Sequence, residues 1–316
     1  MTAVRVPWSS ASFLAYVGGL TILFATGTML GVQEETHGSA GVVLWALVVF
    51  VAVTALAFAA KRAGRFVTAG LLALSSVVAF IFVLGALLDW FGWFPSTDSA
   101  FSGFRFWLIV LELAAIVSSA VAFRIFRFPL LVLLLAASIW FFVTDLISGG
   151  GNWSAIVTIV VGLAFLLAGI AVDDGPSRPF GFWLHVAAGL TIGGGLLWFF
   201  HDSTFDWIVI AVVALLYILF GERLGRSSWA VLGAWAILQT ATFFADKWSD
   251  VAESFAYPLF FIVPFVLGSF GEGEYHEHRH NWIGPLIYGV TGLAFIAIAL
   301  WLARRRRDAI PAAELL

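Results

Sequence analysis

Glu112 stands in the run FRFWLIVLELAAIVSSAVAF, about seven residues from one end of a long apolar stretch. If that stretch crosses a bilayer, the carboxyl lies roughly 10 Å deep, at 1.5 Å per residue. An acid at such depth costs about 2.5–3.5 kcal/mol on insertion scales, and such residues face a bundle interior or a cavity. Gln239, about six residues from the matching end of its own stretch, is at similar depth and is a candidate hydrogen-bond partner. Two readings stand: a proton or cation site, or a neutral structural Glu that locks two helices. His185 lies near the opposite end of the stretch 181–200, too shallow to meet Glu112, and reads as a partnered packing residue or as a proton relay.

A second group of acids follows aromatic runs. Asp89, Asp145, Asp202 and Asp246 each end or adjoin such a run, as in Trp140-Phe141-Phe142-Val143-Thr144-Asp145 and Trp198-Phe199-Phe200-His201-Asp202, and Asp206 follows closely. Together they would line an outer vestibule, or they mark the headgroup side of an aromatic belt. The densest polar patch is Gly271-Glu272-Gly273-Glu274-Tyr275-His276-Glu277-His278-Arg279-His280. On a helix His276 and His280 share a face, and in an extended segment His276, His278 and His280 align. With Glu274 and Glu277 they form a candidate site for zinc or another divalent metal. Arg279 opposes cation binding there, and a pH-responsive or simply solvated loop is the other reading.

Other chemistries are excluded or unsupported. The chain has no Cys, which removes disulfides, thiolate metal ligands and Cys nucleophiles. No P-loop, dinucleotide fingerprint, nucleophile elbow or EF-hand is present. The basic residues are scattered in short loops, so nucleic acid is not an expected partner.

The elements that must position these residues are membrane spans. Of 316 residues 62% are apolar and only 11% charged, against about 25% charged in soluble domains. Mean hydropathy is +1.02. A helix needs about 20 apolar residues to cross the hydrocarbon. The segments 12–32, 41–60, 66–88, 105–126, 129–148, 153–172, 181–200, 206–221, 228–245 and 282–303 qualify. Segment 253–270 is short and carries Pro258 and Pro264, which suits a re-entrant or interfacial element.

Charge orients the spans, because cytoplasmic loops collect Lys and Arg. With ten spans and an inner N-terminus, 13 of the 16 basic residues fall inside, Arg304 to Arg307 among them. The acids, not used in that choice, sort oppositely, with 13 of 19 outside. The expected fold is therefore an all-α polytopic membrane bundle of about ten helices with both termini cytoplasmic. Residues 1–316 form one transmembrane domain, and 246–281 is an enlarged outer loop.

The aromatic-acid endings recur every 44 to 57 residues, and the following inward helices tend to begin with Trp: Trp107, Trp153, Trp207 and Trp282. That periodicity predicts five sequential hairpins. Gly189 and Gly193, followed by Gly194 and Gly195, either let helices approach closely or unwind the span at mid-membrane.

The segment Phe126-Arg127-Phe128-Pro129, continuing through LLVLLLAASIWFFVTDL, is similar to a stretch of bacterial polytopic membrane proteins of the DUF2157 kind, a family of unknown function. That resemblance implies a bacterial inner-membrane protein and assigns no site. The span count and termini also resemble the drug/metabolite transporters in topology, although those are built as inverted halves. Three functions follow. One is a non-catalytic membrane component: a scaffold, assembly factor or outer-face sensor with a membrane protein partner. Another is a small-solute or cation transporter using Glu112. The third is an enzyme acting on lipid-linked substrates through outer acids such as Asp202 and Asp206.

Overall fold

The computed structural model describes residues 37–93, 106–147, 151–173, 178–248 and scattered positions between 286 and 301. Eight long helices lie in the described residues: α1 His37–Arg62, α2 Phe66–Trp90, α3 Phe106–Phe126, α4 Leu130–Ile147, α5 Gly151–Asp173, α6 Arg178–Phe199, α7 Thr204–Leu224 and α8 Ser227–Trp248. Each is long and apolar enough to span a membrane. They carry many exposed large apolar side chains, among them Leu44, Val160, Leu167, Val212 and Val231. Lipid is the solvent that suits such faces, so the chain is an all-α, multi-pass membrane protein in contact with the bilayer. The segments 12–32 and 253–270 lie outside the described residues. The described positions of 282–303 are helical.

The chain divides into two units, Met1–Trp198 and Phe199–Leu316. In the first, α2 packs on α3 and α4, α3 on α4, and α4 on α5. Its core at one end is Ala73, Val77, Ala122 and Leu131, bordered by Phe123, Phe126 and Phe128. The turn from α3 to α4 explains this arrangement. Arg127 closes α3 in a left-handed conformation at φ 49°, rare for a residue with a side chain, and Pro129 then opens the next helix. The turn drops Phe128 onto α2, where a Cβ on Gly70 would lie 2.1 Å from the ring. Only glycine fits beneath that ring.

Polar bonds between helices add to the packing, as expected where no water competes. Thr54 and Ser76 join α1 to α2 at 2.5 Å, and the Trp140 indole N–H donates to Thr158 Oγ1 at 3.0 Å between α4 and α5. Helix α6 runs unbroken through Gly193, Gly194 and Gly195. The glycine-rich stretch therefore does not unwind the helix. Gly195 lies against Ile159 and the Ala155 carbonyl of α5, the close approach that small residues permit.

In the second unit α7 and α8 form a tight hairpin. Ser203 and Asp206 make a reciprocal capping box at the start of α7. Gly225, at φ 63°, ends that helix, with its N–H on Glu222 O and the Arg226 N–H on Gly221 O. Trp229, 2% exposed, then inserts between Tyr217 and Phe220 with edge-on ring contacts.

Candidate functional site

The α3–α4 hairpin carries Glu112 to Asp145. Glu112 lies 16 residues before Phe128 in the turn, and Asp145 lies 17 after it. Two antiparallel helices leaving one short turn therefore bring the two acids to the same height. Both are half-buried, and the Asp145 carboxyl is near enough to Glu112 to act on it electrostatically. The Glu112 Oε2 atom is fully covered and, among the described residues, has no hydrogen-bond partner. Ser119, 0% exposed, lies two turns further along α3, and Thr144, buried, precedes Asp145 on α4. Two carboxylates on adjacent helices repel unless a proton or a cation lies between them. Such a pair suits a proton or a cation placed between the two carboxyls.

His185 has a different partner. Its ring is wholly buried and packs over Gly169, where an added Cβ would lie 3.2 Å from Nε2. One turn along α5, Asp173 Oδ2 accepts a hydrogen bond from His185 Nε2 at 2.9 Å. A carboxylate only accepts, so the bond selects the tautomer with its proton on Nε2. Helical side chains lean toward their own N-terminus, which lets His185 reach back to the end of α5. Asp173, the last residue of α5, carries no sequence motif that announces this role. The available signal was a spanning His facing a chain neighbour that ends in an acid. Asp173→Ala should destabilise the protein by about 1–3 kcal/mol, because the buried imidazole loses its acceptor. Asp173→Asn keeps an acceptor and should cost less. Thermal denaturation in mild detergent checks both, and equal midpoints for wild type and Asp173→Ala would contradict the assignment.

The acids that follow the aromatic runs do not act alike. Asp89 is exposed, one residue from the end of α2. Asp202 is 83% exposed, with Oδ1 3.2 Å from His201 Nε2. Asp206 is engaged in the capping box: its Oδ2 accepts from the Ser203 N–H at 2.9 Å. That contact gives Asp206 a structural task at the start of α7. Asp246 lies within the last turn of α8. Gln239 is half-buried on the same helix.

Tryptophans close two turns in one way. Trp153 Nε1 donates to Ile147 O at 3.2 Å, and Trp207 Nε1 donates to His201 O at 3.1 Å, each across six residues. Trp107, by contrast, stacks on Trp93 with ring centroids 4.4 Å apart. The repeat thus has a physical content at two turns: the indole that opens one helix ties down the carbonyl end of the previous one.

The candidate metal ligands His276, His278, His280, Glu274 and Glu277 lie outside the described residues. Among the described residues, no group of three His, Cys, Asp or Glu side chains is placed to hold a metal ion. No protein family, curated protein or solved structure matches the chain.

Proposed function

We propose that this multi-pass membrane protein carries a proton or small cation at the Glu112–Asp145 pair, as part of a transport function. The carrying observation is the covered Glu112 Oε2, which has no hydrogen-bond partner among the described residues and has a second acid as its electrostatic neighbour. A structural Glu that locks two helices acts through hydrogen bonds of its carboxyl, and leaving a buried acceptor unsatisfied costs about 1–3 kcal/mol. Acids retained at membrane depth serve proton and ion pathways in pumps and transporters. The test is flux into proteoliposomes under an imposed proton or cation gradient. Wild-type protein should raise the rate above that of protein-free liposomes, and equal rates would reject transport.

A non-catalytic membrane component is the second reading. It is favoured by the structural employment of the other polar groups: His185 on Asp173, Asp206 in a cap, and the Trp153 and Trp207 indoles on backbone carbonyls. A partner that survives purification in mild detergent would support it, and recovery of the chain alone would count against it.

Sidedness belongs to the same proposal. The end carrying Lys61, Arg62, Arg65, Arg124 and Arg127 is cytoplasmic, as the excess of basic residues directs. A cysteine introduced after residue 303 should stay unlabelled by an impermeant reagent added from outside. Labelling would overturn the orientation of the last span.

A further inference from the structure

The turn between α1 and α2 and the turn between α3 and α4 meet at one end of the first unit. The Lys61 ammonium donates to the Ile125 carbonyl at 2.8 Å and lies 5.5 Å from the centroid of the Phe126 ring. Phe126 in turn packs against Phe58, with centroids 5.4 Å apart. Phe128 seats on Gly70, on the far side of the same junction. These contacts bring two basic segments together. Arg62 and Arg65 flank one turn, and Arg124 and Arg127 flank the other, all four exposed. No acid occurs in 58–69 or in 120–132 to neutralise them.

Apolar surface adjoins these cations. Phe66 is 71% exposed, Phe58 40% and Ile125 37%. A guanidinium cluster suits phosphate oxygens, which Arg binds through paired N–H donors. Exposed rings beside it suit hydrocarbon. A free phosphate would use the first feature only, whereas a phospholipid uses both.

The structure assigns this junction as a binding site for the phosphodiester headgroup of an anionic phospholipid, with its acyl chains along Phe58 and Phe66. Lys61 is a positioning residue: its bond to Ile125 O holds the two turns together, while the four arginines face the headgroup. Anionic lipid is attracted by roughly fivefold per surface cation. Removing three charges should therefore lower the preference on the order of a hundredfold.

The experiment is native mass spectrometry of the full chain, purified in detergent and offered mixed anionic and zwitterionic phospholipids. Wild-type protein should retain anionic lipid selectively. The triple variant Arg65→Gln, Arg124→Gln, Arg127→Gln should lose that selectivity, and the matching Arg→Lys triple variant should recover most of it. A control that removes the same charge elsewhere, Arg304→Gln, Arg305→Gln, Arg306→Gln, should keep it. Undiminished selectivity in the first variant, or equal loss in the control, would overturn the assignment. Inorganic phosphate, offered alone, should not be retained. Retention with the same arginine dependence would make this a free-phosphate site and overturn the lipid assignment.

Discussion

Glu112→Gln should abolish the gradient-driven flux of proteoliposomes while leaving the protein folded. Gln has nearly the shape of Glu, so the packing of α3 on α4 is preserved. What it removes is the ability to exchange a positive charge. Asp145→Asn should do the same, because either change leaves a single acid where two cooperate. The double variant should be no slower than either single variant, since residues that act as one unit are not additive. The Glu112 site also predicts a stability effect of opposite sense to ordinary core damage. Neutralising one member removes the need for a proton or cation to offset its neighbour, so thermal midpoints should hold or rise. Flux equal to wild type in Glu112→Gln would remove the transport reading.

Gly233→Ala should destabilise the α7–α8 hairpin severely. A Cβ at this position would lie 2.5 Å from the backbone carbonyl oxygen of Ala214 and 2.8 Å from Ile218 Cγ1. A side chain can rotate away, but a helix carbonyl cannot without breaking its own ladder. The two helices must therefore separate. Overpacking of a tight core costs about 1–3 kcal/mol and sometimes more. Gly221 on α7 is also confined, since a Cβ added there would lie 2.9 Å from Ala230 N and Arg226 O, so separation at one glycine strains the contact at the other. Gly194→Ala is the matched control, because a Cβ there meets nothing within 4 Å. Detergent-solubilised Gly233→Ala should show a lower thermal midpoint than wild type, with Gly194→Ala unchanged. Equal midpoints for the two variants would contradict the close packing.

The helices were largely legible in the sequence because the bilayer imposes a length on apolar runs. The run 66–88 became Phe66–Trp90, and 228–245 became Ser227–Trp248. The observed helices often run past the apolar limits because polar ends continue the hydrogen-bond ladder. The Ser203 cap starts α7 at Thr204, before the apolar run 206–221 begins, and Asp173 prolongs α5 beyond its own run. Hydropathy is blind to such extensions.

The site was less legible. Counting inward from outer ends gives Gln239 the same depth as Glu112. Counting outward from the turn at Phe128 gives Asp145, and this count uses the hairpin itself. The sequence contained both counts, and the second follows two helices joined by one short turn. Asp173 was obscured for a related reason. Sorting charges into inner and outer loops treats each as a marker of sidedness, while a carboxyl at a helix end can also reach a buried imidazole. The close contacts at Gly70 and Gly233 were not legible, because they depend on which helix faces which.

The claim that a positive charge is exchanged between Glu112 and Asp145 is tested most directly by infrared difference spectroscopy of the reconstituted protein. Acidification or cation addition should change the carboxyl bands of the wild type. The account predicts that Glu112→Gln removes this response and that Asp145→Asn alters what remains of the Glu112 band. A carboxyl response that survives Glu112→Gln unchanged, or a Glu112 band indifferent to Asp145→Asn, would contradict it.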